Sequence, residues 1–333
     1  MRSFTIVSFD TEDLDIPHLA LKESLLMLNS NYSSNLEMPF APLSLNDEWW
    51  HTLAPRSSKG QGVGFYWASP KDGNLTERCL DGTYEYVAIA CLNFKGNQTS
   101  IPPYCTSLGP DIDICKGLGI KLFLSLGGRP LLSPDDAPIV AAYICDEFLN
   151  DGSGPGPLGA TVNGTDFHFR SGSNNSLDVL AQALRDNCAL DKKVYLSAAP
   201  LCRIPDYYLD AAINTGVFDY VWVQFFGDPS CEYSPGNPFN LIVSWLKWYY
   251  YLRNYNTTLF LGLTGDSAAE GYIPCDPQLL EVLFFVVWFP KFGGIMVLEG
   301  KYECLFSSEK IRPYFNSDVL AYGKKSMNKF PAI

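Results

Sequence analysis

The sequence lacks long apolar runs, metal-binding motifs and an excess of basic charge. Its longest apolar stretch, VLFFVVWF at 282–289, is shorter than the roughly 18 residues that identify a membrane-spanning helix, so we expect no membrane partner. Acidic residues outnumber basic ones by 36 to 24, and a net charge of -12 argues against a nucleic-acid partner. With three histidines and no Cys-x-x-Cys pair, the chain predicts no metal site and no cofactor.

Ten cysteines favour an oxidising compartment, but the N-terminus does not agree. Sequons that could carry glycans in a secreted protein lie at Asn31, Asn74, Asn97, Asn163, Asn174 and Asn256. The start MRSFTIVSFDTEDLD places acids where a signal peptide continues its apolar stretch, and no small-residue cleavage site follows. The sequence leaves open whether the protein is cytosolic or has a different natural start.

Composition divides the chain into an N-terminal extension at 1–60 and a larger domain at 61–333. Within the extension, IPHLALKESLLMLNS predicts a short amphipathic helix and the rest is loop-like, with a tandem Trp49-Trp50. That tandem is interpreted first as part of a packed or poorly ordered arm and second as a docking patch.

From residue 61 onward, short apolar runs alternate with helical stretches. The helices are predicted at 176–187 and 277–289, and the runs at 63–67, 86–90, 121–125, 165–169, 194–198, 220–225, 259–263 and 294–298. This alternation is typical of parallel strands with crossover helices, and eight such units fit a (β/α)₈ TIM barrel. A doubly wound open sheet is the alternative, but no glycine-rich phosphate loop follows any of the runs.

The fourth run, TDFHF, places Asp166, His168 and then Arg170 on one face. In a barrel, functional residues lie at the C-terminal ends of the strands. We expect these three to form an internal polar cluster, with Arg170 paired to Asp166 and His168 donating to a neighbour, because a buried charge must be paired.

Several strings together resemble the plant class III chitinases of glycoside hydrolase family 18. They are LFLSLGG (122–128), VYLSAAPLCRIPDYYLDAAINTGVFDYVWVQFF (194–226), LFLGL (259–263) and FGGIMVL (292–298). The resemblance covers about 61–310 and implies a TIM barrel whose fourth strand carries the pattern D-G-x-D-x-D-x-E.

This chain departs from that pattern at the residues that perform the chemistry. The first Asp corresponds to Asn163, the middle Asp to Asp166, the last Asp to His168 and the Glu to Arg170. In the family, the Glu protonates the leaving oxygen and the substrate acetamido group attacks the anomeric carbon. Arginine stays protonated near neutrality and its fixed charge opposes an oxocarbenium-like transition state. His168 titrates near neutrality but is expected to lie too deep to replace the acid.

Further positions of the groove also differ from the family. Phe226 stands where the family has a tyrosine hydroxyl, and Leu298 where it has the tryptophan floor of the sugar site. The ligand-groove candidates are Trp67, Gln224, Phe226, Asp228, Leu298 and Glu299. Asp228 and Glu299 could form a new carboxylate pair, but solvated loop acids are the preferred interpretation.

The resemblance also implies two disulfides, Cys79–Cys115 and Cys202–Cys231. Cys105 matches half of a third family bridge whose other half has no counterpart. The remaining cysteines have no family partner and are expected to be buried structural residues; they are Cys91, Cys145, Cys188, Cys275 and Cys304.

The sequence therefore predicts a catalytically inactive, monomeric chitinase-like protein. The family includes non-catalytic lectins, inhibitors of other glycosidases such as xylanases, and seed proteins, so a chitooligosaccharide or a glycosidase is the expected partner. The resemblance implies a secreted or vacuolar location. The alternatives are an active chitinase or lysozyme-type hydrolase of N-acetylglucosamine polymers, and a degenerating gene product.

Overall fold

Parallel strands close into a barrel in the computed structural model, which describes residues 62–149, 154, 156–188, 193–275, 277–287, 289–300 and 302. The strands are β1 (Gly62–Trp67), β2 (Tyr86–Gly96), β3 (Gln98–Ser100), β4 (Lys121–Pro130), β5 (Gly164–Phe167), β6 (Tyr195–Ala198), β7 (Tyr220–Gln224), β8 (Thr258–Thr264) and β9 (Phe292–Glu299). The extension predicted at 1–60, with its Trp49-Trp50 pair, lies outside the described residues.

The order β1-β9-β8-β7-β6-β5-β4-β2, together with pairing of β1 to β2, closes the sheet. All eight of these strands pair in parallel, and β3 is a short antiparallel hairpin strand on the end of β2. Each predicted apolar run overlaps one barrel strand, so the predicted (β/α)₈ fold is confirmed. Closure also rules out the open doubly wound sheet.

Helices connect the strands on the outside of the barrel, as the crossovers of a parallel sheet require. They are α1 (Leu75–Leu80), α2 (Gly109–Gly117), α3 (Asp136–Ile144), α4 (Leu177–Cys188), α5 (Asp210–Ile213), α6 (Phe239–Tyr251) and α7 (Gln278–Val286). In α4, Leu177, Leu180, Ala181 and Leu184 recur at helical spacing and are buried against the sheet. Within the described ranges, no helix has the length and apolar character needed to cross a membrane.

The strands carry two separate apolar clusters, one on each face of the sheet. The larger cluster fills the layer between the barrel and the helices. The smaller one fills the barrel interior and consists of Tyr86, Ala88, Phe123, Ala199, Tyr220, Trp222, Phe226, Phe260, Met296 and Leu298. The interior is therefore a packed core and not a pore, so ligands have access to the barrel only at its ends.

Four disulfides are formed among the described cysteines. Two are the pairs that the resemblance implies, Cys79–Cys115 and Cys202–Cys231. The other two are Cys91–Cys105 and Cys145–Cys188. The expectation that Cys105 lacks a partner is thus wrong, since the long strand β2 brings Cys91 against the turn that contains Cys105. Cys275 is also disulfide-bonded, and Cys304 lies outside the described residues.

Candidate functional site

The residues that the resemblance aligns with the family's catalytic motif lie on β5 and just after it. Phe167 and Phe169 point outward, where they form edge-to-face contacts with each other and with Phe218 and Phe94. Asp166, His168 and Arg170 alternate with them, so they face the barrel interior and its mouth. The predicted common face of the three polar residues is therefore present.

Asp166 lies in one row with two serines from the adjacent strands. The register pairs it directly with Ser125 on β4 and with Ser197 on β6. Ser125 Oγ donates to Asp166 Oδ2 at 2.7 Å, and Ser197 Oγ donates to Oδ1 at 2.9 Å. Burial raises the pKa of Asp166 to about 7, and the two hydroxyl hydrogen bonds oppose that rise. Asp166 is 0% exposed, so both oxygens are used within the barrel wall.

His168 is held in one tautomer by Gln224. The amide Nε2 of Gln224 donates to the carbonyl oxygen of Ala199 at 2.9 Å, which identifies that atom as the NH₂ group. The same NH₂ lies 3.2 Å from His168 Nε2, so the ring nitrogen accepts and the neutral ring carries its proton on Nδ1. This corrects the expectation that His168 donates to a neighbour: Nδ1 is buried and has no hydrogen-bond partner.

The electrostatic surroundings of His168 oppose its protonation. Burial, and second the positive charge of Arg170, lower the pKa of His168 to about 3. The ring of Tyr66 packs edge-to-face against His168, with ring centroids 4.7 Å apart, and covers the other side of the imidazole. His168 is therefore uncharged at neutral pH, and it has no proton to give from an imidazolium.

Arg170 does not pair with Asp166, contrary to the expectation from sequence. Asp166 forms no ion pair in the described part of the chain, because its oxygens accept from the two serines instead. The charge of Arg170 still acts on the cluster, since it lowers the pKa values of Asp166, His168 and Tyr66. The three inward-facing residues thus end at the mouth with the positive charge of Arg170, next to a neutral His168.

The remaining groove candidates fall on different faces. Gln224, Phe226 and Leu298 point into the barrel and are buried there. Trp67 does not face the mouth: it is 2% exposed in the outer cluster, and its Nε1 donates to the carbonyl of Gly73. Its neighbour Tyr66 occupies the inward position instead, because successive side chains on β1 alternate between faces.

Asp228 is a structural acid and not a solvated one. The guanidinium of Arg203 binds it through two nitrogens, with Nε 2.9 Å from Oδ2 and Nη2 3.2 Å from Oδ1. Burial raises its pKa, but hydrogen bonds from Arg203 and Ser230 outweigh burial and keep the pKa below its ordinary value. The side chain of Glu299 lies outside the described residues, so a pair between Asp228 and Glu299 stays a prediction.

Asn163 supports the start of the catalytic strand. Its Oδ1 accepts a 2.9 Å hydrogen bond from the backbone N–H of Leu122 on β4. This bond joins the N-terminal ends of two neighbouring strands, far from the mouth where chemistry occurs in a barrel. Asn163 therefore has a structural role and does not belong to the polar cluster.

The sequence interpretation missed three members of the cluster, namely Tyr66, Ser125 and Ser197. The hydroxyl of Tyr66 hydrogen-bonds to Ser125, which in turn donates to Asp166. Strand alternation alone could have identified the two serines as inward-facing, since each shares its phase with an interior residue of its strand. Their common row with Asp166 depends on strand register, for which the sequence carries no signal.

Comparison with known proteins places this barrel in a family. No family model matches the chain. An acidic endochitinase from Cicer arietinum is 39% identical over 266 residues, which cover 74% of this chain and 89% of that protein. An acidic endochitinase from Vitis vinifera is 38% identical over 270 residues, again covering 74% of this chain and 89% of that protein.

Solved structures with the same barrel include a chitinase, a chitinase-like lectin and an inhibitor protein. A chitinase from Ipomoea carnea has a TM-score of 0.65 at 36% identity and covers 77% of this chain and 98% of its own. A chitinase-like lectin from tamarind has a TM-score of 0.64 at 29% identity and covers 78% and 99%. A xylanase-alpha-amylase inhibitor protein has a TM-score of 0.66 at 32% identity and covers 74% and 97%. The extent of these matches shows that the chain belongs to the plant acidic endochitinases, the class III chitinases of glycoside hydrolase family 18.

Proposed function

We propose that this protein is a non-catalytic member of its family that binds carbohydrate without cleaving it. The observation that carries the proposal is Arg170, which the sequence resemblance aligns with the family's catalytic glutamic acid. A guanidinium keeps its proton near neutral pH, so it cannot protonate the leaving oxygen of a glycosidic bond. Its positive charge also lies where an oxocarbenium-like transition state would need negative charge.

Three acids whose side chains the structure describes support the proposal, because none of the three is placed to substitute. Asp166 has a pKa of about 7, as a general acid should, but it is fully buried and both oxygens accept from serines. Asp228 is engaged by Arg203. Burial raises the pKa of Glu232, but this side chain is also buried and its Oε2 accepts from the backbone N–H of Asp228.

The interior also argues against an unchanged chitin site. Phe226 and Leu298 pack into the barrel cluster, where they provide neither the hydroxyl nor the flat aromatic floor of the family. A stacking platform for a sugar needs a large ring face, and Leu298 has none. Binding would therefore depend on other parts of the mouth. One solved structure with this barrel is named a chitinase-like lectin and another a xylanase-alpha-amylase inhibitor in complex with trehalose, and both names are consistent with such a use of the barrel.

The decisive experiment measures turnover of a soluble chitooligosaccharide, with calorimetric binding in parallel. We compare the natural protein with a His168→Asp, Arg170→Glu double variant and with His168→Asp, Arg170→Gln, which removes the arginine without supplying an acid. We expect no turnover by the natural protein and measurable binding of at least one glycan. Turnover by the natural protein would overturn the proposal in favour of an active hydrolase, as the names of its relatives indicate.

The disulfides favour an oxidising location. Structural disulfides persist in secretory compartments and are rare in the cytosol. With four pairs among the described cysteines, we propose that the protein is secreted or vacuolar. Extraction from its source tissue under thiol-blocking conditions, followed by a count of free thiols, tests this: cytosolic protein with reduced cysteines would contradict it.

A further inference from the structure

Two strands extend beyond the rest of the barrel and form a wall above its mouth. β2 continues to Gly96 and β4 to Pro130, and their pairing persists over Asn93↔Gly127 and Lys95↔Arg129. The chain that follows β5 runs along this wall. His168 N–H donates to the carbonyl of Leu126, and Ser173 N–H donates to the carbonyl of Pro130.

The backbone positions of three cationic residues lie in one row on this wall. Lys95 and Arg129 are direct partners in the register, and Arg170 lies on the segment that runs beside Arg129. Phe94 on β2 points into the outer cluster, so Lys95 faces the opposite side, which continues the barrel interior. Adjacent strands are about 4.8 Å apart, so the three positions span roughly 10 Å across the wall.

The row is unusual in a protein with 36 acidic and 24 basic residues. Arg185, Lys193 and Arg203 form ion pairs at other places in the fold. Neither Lys95 nor Arg129 forms an ion pair within the described ranges, and both are exposed. Like charges side by side repel each other, and an anion bound between them removes that repulsion.

The strand surface between the cation row and the mouth has a residue without a side chain at its centre. Gly127 occupies the middle of the row below, between Asn93 and the backbone of His168. A methyl group added at Gly127 would lie 3.5 Å from Asn93 Oδ1 and 3.8 Å from His168 O, which is ordinary contact distance. Because Gly127 has no side chain, its position leaves space for a methyl-sized group of a ligand below the cations.

We propose that this wall binds an acidic glycan, with Lys95, Arg129 and Arg170 contacting carboxylates on successive sugar units. The inference rests on the proposed function, because the wall continues the mouth to which that proposal assigns carbohydrate. A single small anion would use one cation, whereas a row across two strands and the segment after β5 matches a chain with repeated charges. The proposed function assigns carbohydrate to the mouth, so the fitting ligand is a uronate-type glycan, which carries a carboxylate on each sugar unit.

The test compares an oligogalacturonide with its methyl ester, which has the same shape without the charges. Calorimetry measures both, together with a neutral chitooligosaccharide, on the natural protein, Lys95→Gln, Arg129→Gln and their double variant. Lys247→Gln removes one exposed charge from helix α6 and is the matched control. We expect preference for the acid, loss of affinity with added salt, a decrease of about threefold to fivefold for each single variant, and no change for Lys247→Gln.

Each other outcome has a defined meaning. Equal affinity for acid and ester, unchanged in Lys95→Gln and Arg129→Gln, would overturn the acidic-glycan inference and leave carbohydrate binding intact. Binding of polyglutamate as strong as that of the oligogalacturonide would overturn the assignment to a glycan. If none of the three oligosaccharides binds, both this inference and the binding half of the proposed function fail.

Discussion

Ser125 donates a 2.7 Å hydrogen bond to Asp166 from the neighbouring strand, and the two residues are direct partners in the register. This bond joins a hydroxyl and a carboxyl that are both fully enclosed by the barrel. A buried carboxyl depends on such donors, because ionisation without them would leave a charge in a medium of low polarity.

Removal of the Ser125 hydroxyl should destabilise the fold by an amount that depends on pH. We expect Ser125→Ala to lower the free energy of unfolding by about 1 to 3 kcal/mol, with the larger loss above the pKa of Asp166, where the carboxylate needs its donors. Denaturant unfolding at pH 5 and pH 8 measures it, with Ser100→Ala, an exposed serine on β3, as control. A loss of the same size at both pH values would show that Asp166 does not ionise in the folded protein.

Asp166 and His168 have opposite effects on stability as pH changes. The pKa of Asp166 rises from 3.8 to about 7 on folding, so its contribution is complete at low pH and is lost as pH rises towards 7. The pKa of His168 falls from 6.5 to about 3, so its contribution is absent in acid and grows as pH rises to 6.5. Between about pH 4 and pH 6.5, the two groups change the stability of the fold in opposite directions.

Single variants separate these slopes. We expect His168→Gln to become less stable as pH rises from about 4 to about 7, and Asp166→Asn to become more stable over the same range. The free energy of unfolding of the natural protein should change little over this pH range. Urea unfolding at closely spaced pH values gives the three profiles. Parallel profiles for all three proteins would mean that neither group titrates as the structure indicates.

The sequence predicted the barrel and the inward face of its fourth strand because both depend on local patterns. Eight apolar runs separated by helical stretches are visible without any knowledge of pairing, and the inward line Asp166, His168, Arg170 follows from alternation alone. The rows Ser125–Asp166–Ser197 and Lys95–Arg129 were not predictable in this way. They depend on how far each strand slides against the next, which is fixed by packing between distant segments.

The misplacement of Trp67 has a related cause. In VGFYW, the last three residues are all aromatic, so the run shows no clear alternation between apolar and polar positions. The structure turns Tyr66 inward and Phe65 and Trp67 outward. For Cys91, the irregular register of β2 between Ile89 and Leu92 changes the phase of the strand, which the sequence does not reveal.

Two neighbouring glycines on β4 are expected to respond differently to substitution. Gly128 has φ +89, and a methyl group there would lie 2.4 Å from the carbonyl oxygen of Phe94. We expect Gly128→Ala to cost at least about 2 kcal/mol, while Gly127→Ala costs less than about 1 kcal/mol. Thermal unfolding of the two variants is the measurement. Equal losses would show that the wall above the mouth is not held in the described conformation.

The disulfides missed by the family comparison should stabilise the fold. Loop-entropy estimates give about 3 kcal/mol for Cys91–Cys105 and about 4 kcal/mol for Cys145–Cys188, since the closed loops differ in length. Double alanine variants of each pair, compared by guanidinium unfolding, test these values. Unchanged stability in either double variant would argue against the corresponding bridge.

The alternation of β5 separates what the strand needs for folding from what it offers to a ligand. Phe167 and Phe169 anchor it to the layer beneath the helices, while His168 and Arg170 occupy only the opposite side. A lineage can therefore exchange every reactive group on this strand and keep an intact barrel. The architecture of β5 does not depend on its reactive groups, so retention of the fold gives no assurance that the reaction has been retained.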